Sequence, residues 1–500
     1  MTKLNVFNGG LNTRLAPHLI KVNEAVQYSN IDNEDGTLKA VHDKAEAGLT
    51  LSPYAYYFEA QAAWVSSSTV RNYIEYRDTL YYSEPASVPK YWDGTTEYLL
   101  GIKEPSAAPT VAVGAAGVLT GTYTYVVTYY NSTKGVESQP SAVSAEVTPS
   151  SQSIDITSIP VSSDAQVDQK RIYRVGGVLA SFSLVATIPN ATTSYNDDLA
   201  DTAIPGNDMA ATDYDQAPTG LDFLTEAYGI MFGAVGDRLY YSLVGQFTYW
   251  PASYFIDFPT NITAIMALPI GILVATKYRT YLVSGTSRAT FTKKTFDTTQ
   301  GCLTFQSVQY VNNSAIWVSS DGLCTAEGAR VKVITRERLG KLNLAVVNSA
   351  FHDDTYYALK ADNTILAYDF RYGVAIKNLD VTATRLVVGN DKLYGYEGSE
   401  YLELFQGIKQ ISMAYKSPRL VDGSKTQRKV YKSVFIDSVG TLTIDIYVSD
   451  KLVLSKAIDN SGVTELKIPE NSTNGYSMQF GISGIGEVYE LDYTVKGNPK

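Results

Sequence analysis

The sequence predicts an all-β protein: a β-propeller interrupted by an inserted β-sandwich and followed by a C-terminal β-sandwich-like unit. Three observations carry that expectation. An acidic turn followed by an aromatic strand recurs along the chain: Asp78-Thr79-Leu80-Tyr81-Tyr82, Asp237-Arg238-Leu239-Tyr240-Tyr241, Asp354-Thr355-Tyr356-Tyr357 and Asp391-Lys392-Leu393-Tyr394-Gly395. The last two copies lie roughly 40 residues apart, the period of propeller blades. Each places a turn-forming Asp before residues that favour strands, and a lone hairpin of this kind cannot bury its own apolar face. Segments that would tolerate a helix are scarce, and the longest, Arg336 to Val347, is short. Composition also shifts twice, which divides the chain.

Residues 1–104 are expected to hold a loop-rich lead-in of about 50 residues and the first propeller blades, with blade-like strands from Tyr54 to Tyr98. Lys103-Glu104-Pro105-Ser106-Ala107-Ala108-Pro109 then breaks the pattern. Residues 105–217 read as the inserted sandwich. Thr122 to Tyr130 alternates as a strand does, and strands are expected at Ser153 to Ile159, Lys170 to Val175 and Ser183 to Ile188. Its exit reads as an acidic loop carrying Asp197, Asp198, Asp201, Asp208, Asp213 and Asp215. Residues 218–409 resume the propeller, with Ile270 to Thr276 and Ala315 to Leu323 expected as inner blade strands. Residues 410–500 read as the final all-β unit, closing or flanking the propeller. Its strands are expected at Val434 to Asp437, Thr441 to Val448 and Tyr476 to Phe480.

Five hundred residues at 45% hydrophobic content suffice for roughly two to four domains with real cores. Tyr is abundant at 38, against 4 Trp and 6 Met, and suits strands with one buried and one wet face. A net charge of -10 argues against a general nucleic-acid clamp, although an acidic wall could surround DNA without gripping it. The start of the chain lacks an apolar run of signal-peptide length. The best candidate membrane span, Ile262 to Ala275, is short and broken by Pro269 and Gly271, so no membrane span is expected and synthesis in the cytoplasm is. Cys302 and Cys324 sit in strand-like surroundings and are expected as buried reduced thiols, with a cross-strand disulfide left open.

Motifs for chemistry are missing. Gly340-Lys341-Leu342 fails as a phosphate-cradling loop, and an EF-hand loop centred on Gly36 would lack both required acids. Asp32 and Asp35 are therefore read as turn residues. His18, His42 and His352 show no metal-ligand spacing, and His352-Asp353-Asp354 occupies the turn of the repeat rather than a catalytic dyad. Ser320-Asp321-Gly322 lacks the spacing of sialidase turns. Carboxylate pairs are unavoidable among 51 acids and carry no information. No catalytic, metal-binding or cofactor-binding residues are assigned, no cofactor is expected, and the chain is read as a non-enzyme. Two basic stretches stand out instead. One holds Lys409, Lys416, Arg419, Lys425, Arg428, Lys429 and Lys432 against Asp422 alone; the other holds Arg330, Lys332, Arg336, Arg338 and Lys341 against Glu337 alone. Each is either a solvated or intersubunit surface, or a contact for DNA phosphates or an acidic neighbour.

The opening Gly9-Gly10-Leu11-Asn12, with Asn23-Glu24-Ala25, Asn30-Ile31-Asp32 and Gly36-Thr37-Leu38, resembles the start of tail proteins of tailed bacteriophages. Gly121-Thr122-Tyr123-Thr124-Tyr125 through Glu137-Ser138-Gln139-Pro140-Ser141, followed by Arg171-Ile172-Tyr173-Arg174, is similar to fibronectin-type-III-like inserts of phage virion proteins. In order of elements the chain resembles the tail nozzle, or tail hub, of short-tailed phages. That resemblance implies a ring homo-oligomer, a hexamer, below the portal and adaptor. It also implies attached fibre or needle proteins, transient contact with double-stranded genomic DNA, and location in the virion tail. Two other readings remain open. One is a host-recognition protein that binds glycan through Tyr such as Tyr129 and Tyr130; the other is a polysaccharide-degrading propeller enzyme.

Overall fold

The recurring acidic motif is a hairpin turn. In the computed structural model, which describes residues 2–33, 35–204, 212–327, 330–371 and 375–497, Arg77 and Asp78 have φ of 47° and 57°. Asp353 and Asp354 (46° and 50°) and Asn390 and Asp391 (49° and 55°) repeat this geometry. Paired left-handed residues make the tight turn whose twist matches flanking antiparallel strands, and Asn and Asp tolerate that region best. A further copy that the acidic pattern does not reveal uses Asn312 and Asn313 (48° and 64°) to join Gln309–Val311 to Ser314–Ser319.

Regular structure is almost wholly β. Among the described residues, helix is confined to Arg336–Leu339 and a few single 3-10 turns. The hairpins extend into four-stranded antiparallel modules over residues 72–99, 222–257, 309–333 and 346–379, the propeller-like pattern expected of the repeat. The segment expected as one inner strand at Ala315 to Leu323 is instead a strand, a turn and the start of the next strand, with Ser319 paired to Gly322. Gly271–Thr276 is a strand with every residue buried.

The chain divides into two compact units, one of residues 1–68, 268–282 and 294–500, the other of residues 69–267 and 283–293. In the first, the lead-in is less irregular than expected. Ala45–Leu49 is the fourth strand of the module built from Arg385–Gly389, Lys392–Glu397 and Glu400–Glu403, pairing Leu49 with Tyr401 and Ala45 with Glu403. Gln27–Ser29 runs parallel to Ala375–Leu379 on one side and antiparallel to Met413–Lys416 on the other. It thereby joins the 346–379 module and the C-terminal strands into one sheet. Gly10 (φ 68°) lies against this seam: a Cβ there would sit 2.5 Å from the Ile376 nitrogen.

The C-terminal strands are longer than the sequence suggests. Lys429–Val448, Lys451–Lys467 and Met478–Gly497 pair along nearly their whole lengths. What reads as a break after Asp437 is a glycine crossing, where Gly440 (φ 108°) faces Gly486 (φ 148°). A Cβ on Gly440 would lie 2.5 Å from the Ile485 carbonyl oxygen, so side chains are excluded there and the strands pass through unbroken. Val434, Ile436, Ile444 and Ile446 are wholly buried on the inner face. Each contributes on the order of 1.5–3 kcal/mol by leaving water.

In the second unit, a core of Leu100, Leu221, Leu224, Met231, Phe247 and Trp250 forms between the 72–99 and 222–257 modules. The intervening chain builds a three-stranded sheet (Thr110–Thr120, Ser150–Thr157, Tyr195–Asp197). A four-stranded sheet accompanies it (Val136–Glu137, Tyr123–Asn131, Gln169–Gly176, Leu179–Pro189), and Tyr125, Val127, Ile154, Ile156 and Ile172 are buried together. The exit is not simply an acidic loop. Asp197 is fully buried, 2.6 Å from the fully buried guanidinium of Arg174, and accepts the Tyr125 hydroxyl at 2.7 Å. Asp201 takes a second Arg174 nitrogen at 2.7 Å. Asp208 lies outside the described residues. The sandwich is seated on its neighbour through Tyr249, which stacks on Tyr214 at 3.9 Å and accepts the Glu137 N–H at 3.1 Å. Tyr129 is buried beside Tyr249, and Tyr130 is covered by the Arg171 guanidinium at 3.6 Å, so both tyrosines serve packing.

Lys170 is buried in this sandwich with its ammonium donating to the Pro160 and Thr192 carbonyls at 2.9 and 2.6 Å. Burial lowers its pKa to about 8. Between pH 8 and roughly 10.4 the unfolded chain then binds more protons than the folded one, so stability rises with pH. Urea unfolding followed across that window should show the rise, and Lys170→Met should flatten it. An identical slope in the variant would refute the assignment.

Candidate functional site

The long basic stretch is the site candidate the sequence offered, and strand geometry disperses it. Lys409 is exposed on a loop, where its carbonyl accepts the Asp43 N–H at 2.8 Å. Lys416 lies in a strand paired with Gln27, its ammonium 4.2 Å from the centre of the Tyr447 ring. Arg428 is exposed near Tyr476, with its guanidinium 5.8 Å from that ring, just before the strand Lys429–Val448, on which Lys432 is exposed. Lys429 turns inward. It is 3% exposed and donates to the Ser424 and Tyr476 carbonyls at 2.8 and 3.3 Å. Successive strand residues face opposite ways, so a run of cations in sequence cannot be one patch in space.

Arg419 and Lys425 do converge. They line a cavity of about 340 Å³ together with Lys3 and His18 from the lead-in, over an apolar floor that includes Ile20 and Leu420. The loops meet there because the Arg419 N–H donates to the Pro17 carbonyl at 2.9 Å. Arg419 also forms an ion pair with Asp450, and its Nε is buried without an acceptor. Lys3 forms an ion pair with Glu490 on the neighbouring strand. Asp422, the carboxylate of this lining, receives the Tyr493 hydroxyl at 2.9 and 3.0 Å from its two oxygens. Lys3 and His18 could not be found from the local run, because they lie some 400 residues earlier.

The second basic stretch is largely spent within the chain. Arg336 and Lys341 both pair with Asp321, and hydrogen bonding from Lys341 holds the Asp321 carboxyl below its ordinary pKa. Arg338 lies 3.7 Å from buried Glu24 and, with Lys332, lines a cavity of about 530 Å³. Arg330 is exposed.

Two of the three histidines come together despite their separation in sequence. His42 and His352 line a cavity of about 260 Å³ beside Arg371 and Lys377. The His42 Nδ1 lies 2.8 Å from the Gly407 carbonyl, which can only accept, so that nitrogen carries the proton. Asp353 is engaged by Arg371 at 2.9 Å. Asp369 is buried, which opposes ionisation, but Arg371 and Lys377 at 3.0 and 2.8 Å outweigh that and hold its pKa below the ordinary value. Among the described residues, no three His, Cys, Asp or Glu side chains are grouped to hold a metal ion. Asp35 is a turn residue, accepting the Thr37 N–H at 3.1 Å. Cys302 and Cys324 are buried free thiols, both pushed up to about 12 by burial.

No protein family matches the sequence, and neither does any curated protein. Solved structures do overlap with the chain. The computationally designed Ika8 protein is 11% identical, covering 71% of this chain and 98% of its own, at a TM-score of 0.30. BamB from Moraxella catarrhalis is 13% identical over 59% and 92%, at 0.26. BBS1N, solved in complex with ARL6DN, is 10% identical over 67% and 87%, at 0.27. At these TM-scores the likenesses carry no argument about function. Among the described residues no helix is long and apolar enough to cross a membrane.

The opposite environments of adjacent Arg428 and Lys429 make a direct test. Lys429→Met strands two carbonyls and should cost about 1–3 kcal/mol in urea unfolding. Arg428→Gln should change stability by no more than about 0.5 kcal/mol. Equal losses from both would contradict the inward placement of Lys429.

Proposed function

We propose that this chain is a structural protein of a bacteriophage tail, forming a six-membered nozzle or hub ring below the portal and adaptor. Genomic DNA is retained by the ring and leaves through it, and fibre or needle proteins attach to it. The protein works by assembly and carries no catalytic activity. After synthesis in the host cytoplasm it resides in the virion tail.

The observation that carries this reading is the resemblance in the lead-in, from Gly9 to Leu38. Those residues have a physical task here that explains their pattern. Gly10 is sterically required beside Ile376, and Glu24 accepts a hydrogen bond from Asn12 at 2.7 Å. Leu38 is fully buried in the core shared with the C-terminal strands. A head-to-tail contact with the right rotation closes a ring, and propeller-like modules supply stiff walls for one. The net charge of -10 per copy suits a conduit that does not hold phosphate tightly.

Native mass spectrometry of the purified chain, alone and with portal-side proteins, should give a ring of about six copies. A chain that stays monomeric at high concentration in both settings would end this reading. Incubation with host polysaccharide should release no sugar; turnover abolished by one carboxylate substitution would replace the proposal with the enzyme reading.

A further inference from the structure

We infer that the loop of residues 13–22 is a contact between copies of this chain, seating its cations and apolar side chains on an acidic surface of the next copy. The inference rests on the ring reading above and supplies a contact for it. Within the loop Leu15, Leu19 and Val22 are exposed at 39%, 55% and 55%, and Arg14 and Lys21 are exposed beside them. The loop holds no Asp or Glu. It contributes +2 to a chain of -10, so the remaining residues carry -12.

The loop is held in place rather than trailing. The Thr13 and Arg14 N–H groups both donate to the Arg338 carbonyl at 2.9 Å, and the Pro17 carbonyl accepts the Arg419 N–H at 2.9 Å. The Leu19 N–H closes a turn on the Ala16 carbonyl at 2.8 Å, and Ile20 is buried as an anchor. A surface fixed in advance loses little freedom on association. Exposed apolar side chains rimmed by polar ones mark an interaction surface. Charge then selects the partner. Lys3 and Arg419, in the cleft that His18, Ile20 and Val22 line, are already paired with Glu490 and Asp450. Arg14 donates to the Arg336 carbonyl at 3.3 Å, and neither it nor Lys21 forms an ion pair among the described residues. Their charge is left for a neighbour, and each further copy of this chain is strongly negative outside the loop. Because a cationic patch meets a different, acidic patch, the contact runs head to tail, the kind that closes a ring. An anionic membrane would attract the same cations, but the negative charge of the rest of the chain opposes that approach.

The test follows self-association of the full-length chain by analytical ultracentrifugation from about 50 to 500 mM salt. The unmodified chain should associate less tightly as salt rises. Leu19→Asp should weaken association roughly tenfold or more, and Lys21→Glu should weaken it and flatten the salt dependence. Both side chains are exposed, so the urea midpoint of each variant should stay in place. Val463→Asp, at an apolar position outside the loop that is 69% exposed, should associate as the unmodified chain does. Carbodiimide coupling in a mixture of isotopically labelled and unlabelled chains should join Lys21 to an Asp or Glu of a different copy. Unchanged association in both loop variants overturns the inference, and so does an equal loss in Val463→Asp. Loop-dependent binding to phosphatidylcholine vesicles containing phosphatidylglycerol, with assembly untouched, overturns it in favour of a membrane. Mass separates the two levels. A ring of about six that persists in both loop variants removes this contact and leaves the ring reading. Loop-dependent association that stops at another number keeps the contact and ends the ring reading, and an unmodified chain that stays monomeric ends both.

Discussion

Backbone hydrogen bonding between the two ends of the chain is the constraint on which the larger unit depends. Gln27–Ser29 fills the gap between Ala375–Leu379 and Met413–Lys416, and Ala45–Leu49 completes the module that ends at Glu403. Without those short strands, three strand edges would present unpaired N–H and C=O groups. The lead-in is therefore the piece that makes one continuous sheet out of a propeller-like module and a set of long C-terminal strands. Its buried residues, Phe7, Leu11, Tyr28, Ile31 and Leu38, belong to the same core as Tyr415, Ile444 and Leu491.

The same seam decides where charge can gather. Pinning residues 17–22 beside 418–425 brings cations from opposite ends of the sequence to one cleft. Cations are neutralised close by there, Arg419 by Asp450 and Lys3 by Glu490, as they are at Asp321 and Asp369. The exposed pairs at Asp321 are worth little in stability, whereas Asp369 and Lys377 are paired in the interior; both arrangements remove the charge from any long-range role. The buried Arg174–Asp197 pair is different in kind. Two charges taken wholly out of water are tolerated because Asp201, Tyr125 and the Leu199 carbonyl add hydrogen bonds to the pair.

Much of the fold was legible from turn chemistry and alternation. Asp at a turn before Leu-Tyr or Tyr-Tyr marked hairpins correctly, because only a few residue types accept two successive left-handed conformations. The sandwich strands were visible for the same reason that Thr122 to Tyr130 alternates. The closing strand was not. Ala45-Glu46-Ala47-Gly48-Leu49 has little intrinsic strand preference and is recruited by the open edge of Glu400–Glu403. The unbroken C-terminal strands were hidden by Gly440, which has the composition of a turn and the geometry of a crossing. At the site, the sequence supplied Arg419 and Lys425 but grouped them with Lys429, which strand alternation sends indoors. Lys3 and His18 depend on tertiary contact and left no local signal.

The late arrival of a partner for Ala45–Leu49 has a consequence in time. The strand leaves the ribosome early, yet its neighbour at Glu400–Glu403 follows some 350 residues later. At about 5–20 residues per second the wait is on the order of tens of seconds. During that interval the nascent chain holds an unsatisfied β segment and the apolar residues Tyr28, Ile31 and Leu38, which have nothing yet to pack against. Chaperone shelter, or slow synthesis of short stretches, would matter most before residue 403 emerges. A chain truncated before that point would keep this adhesive region for good.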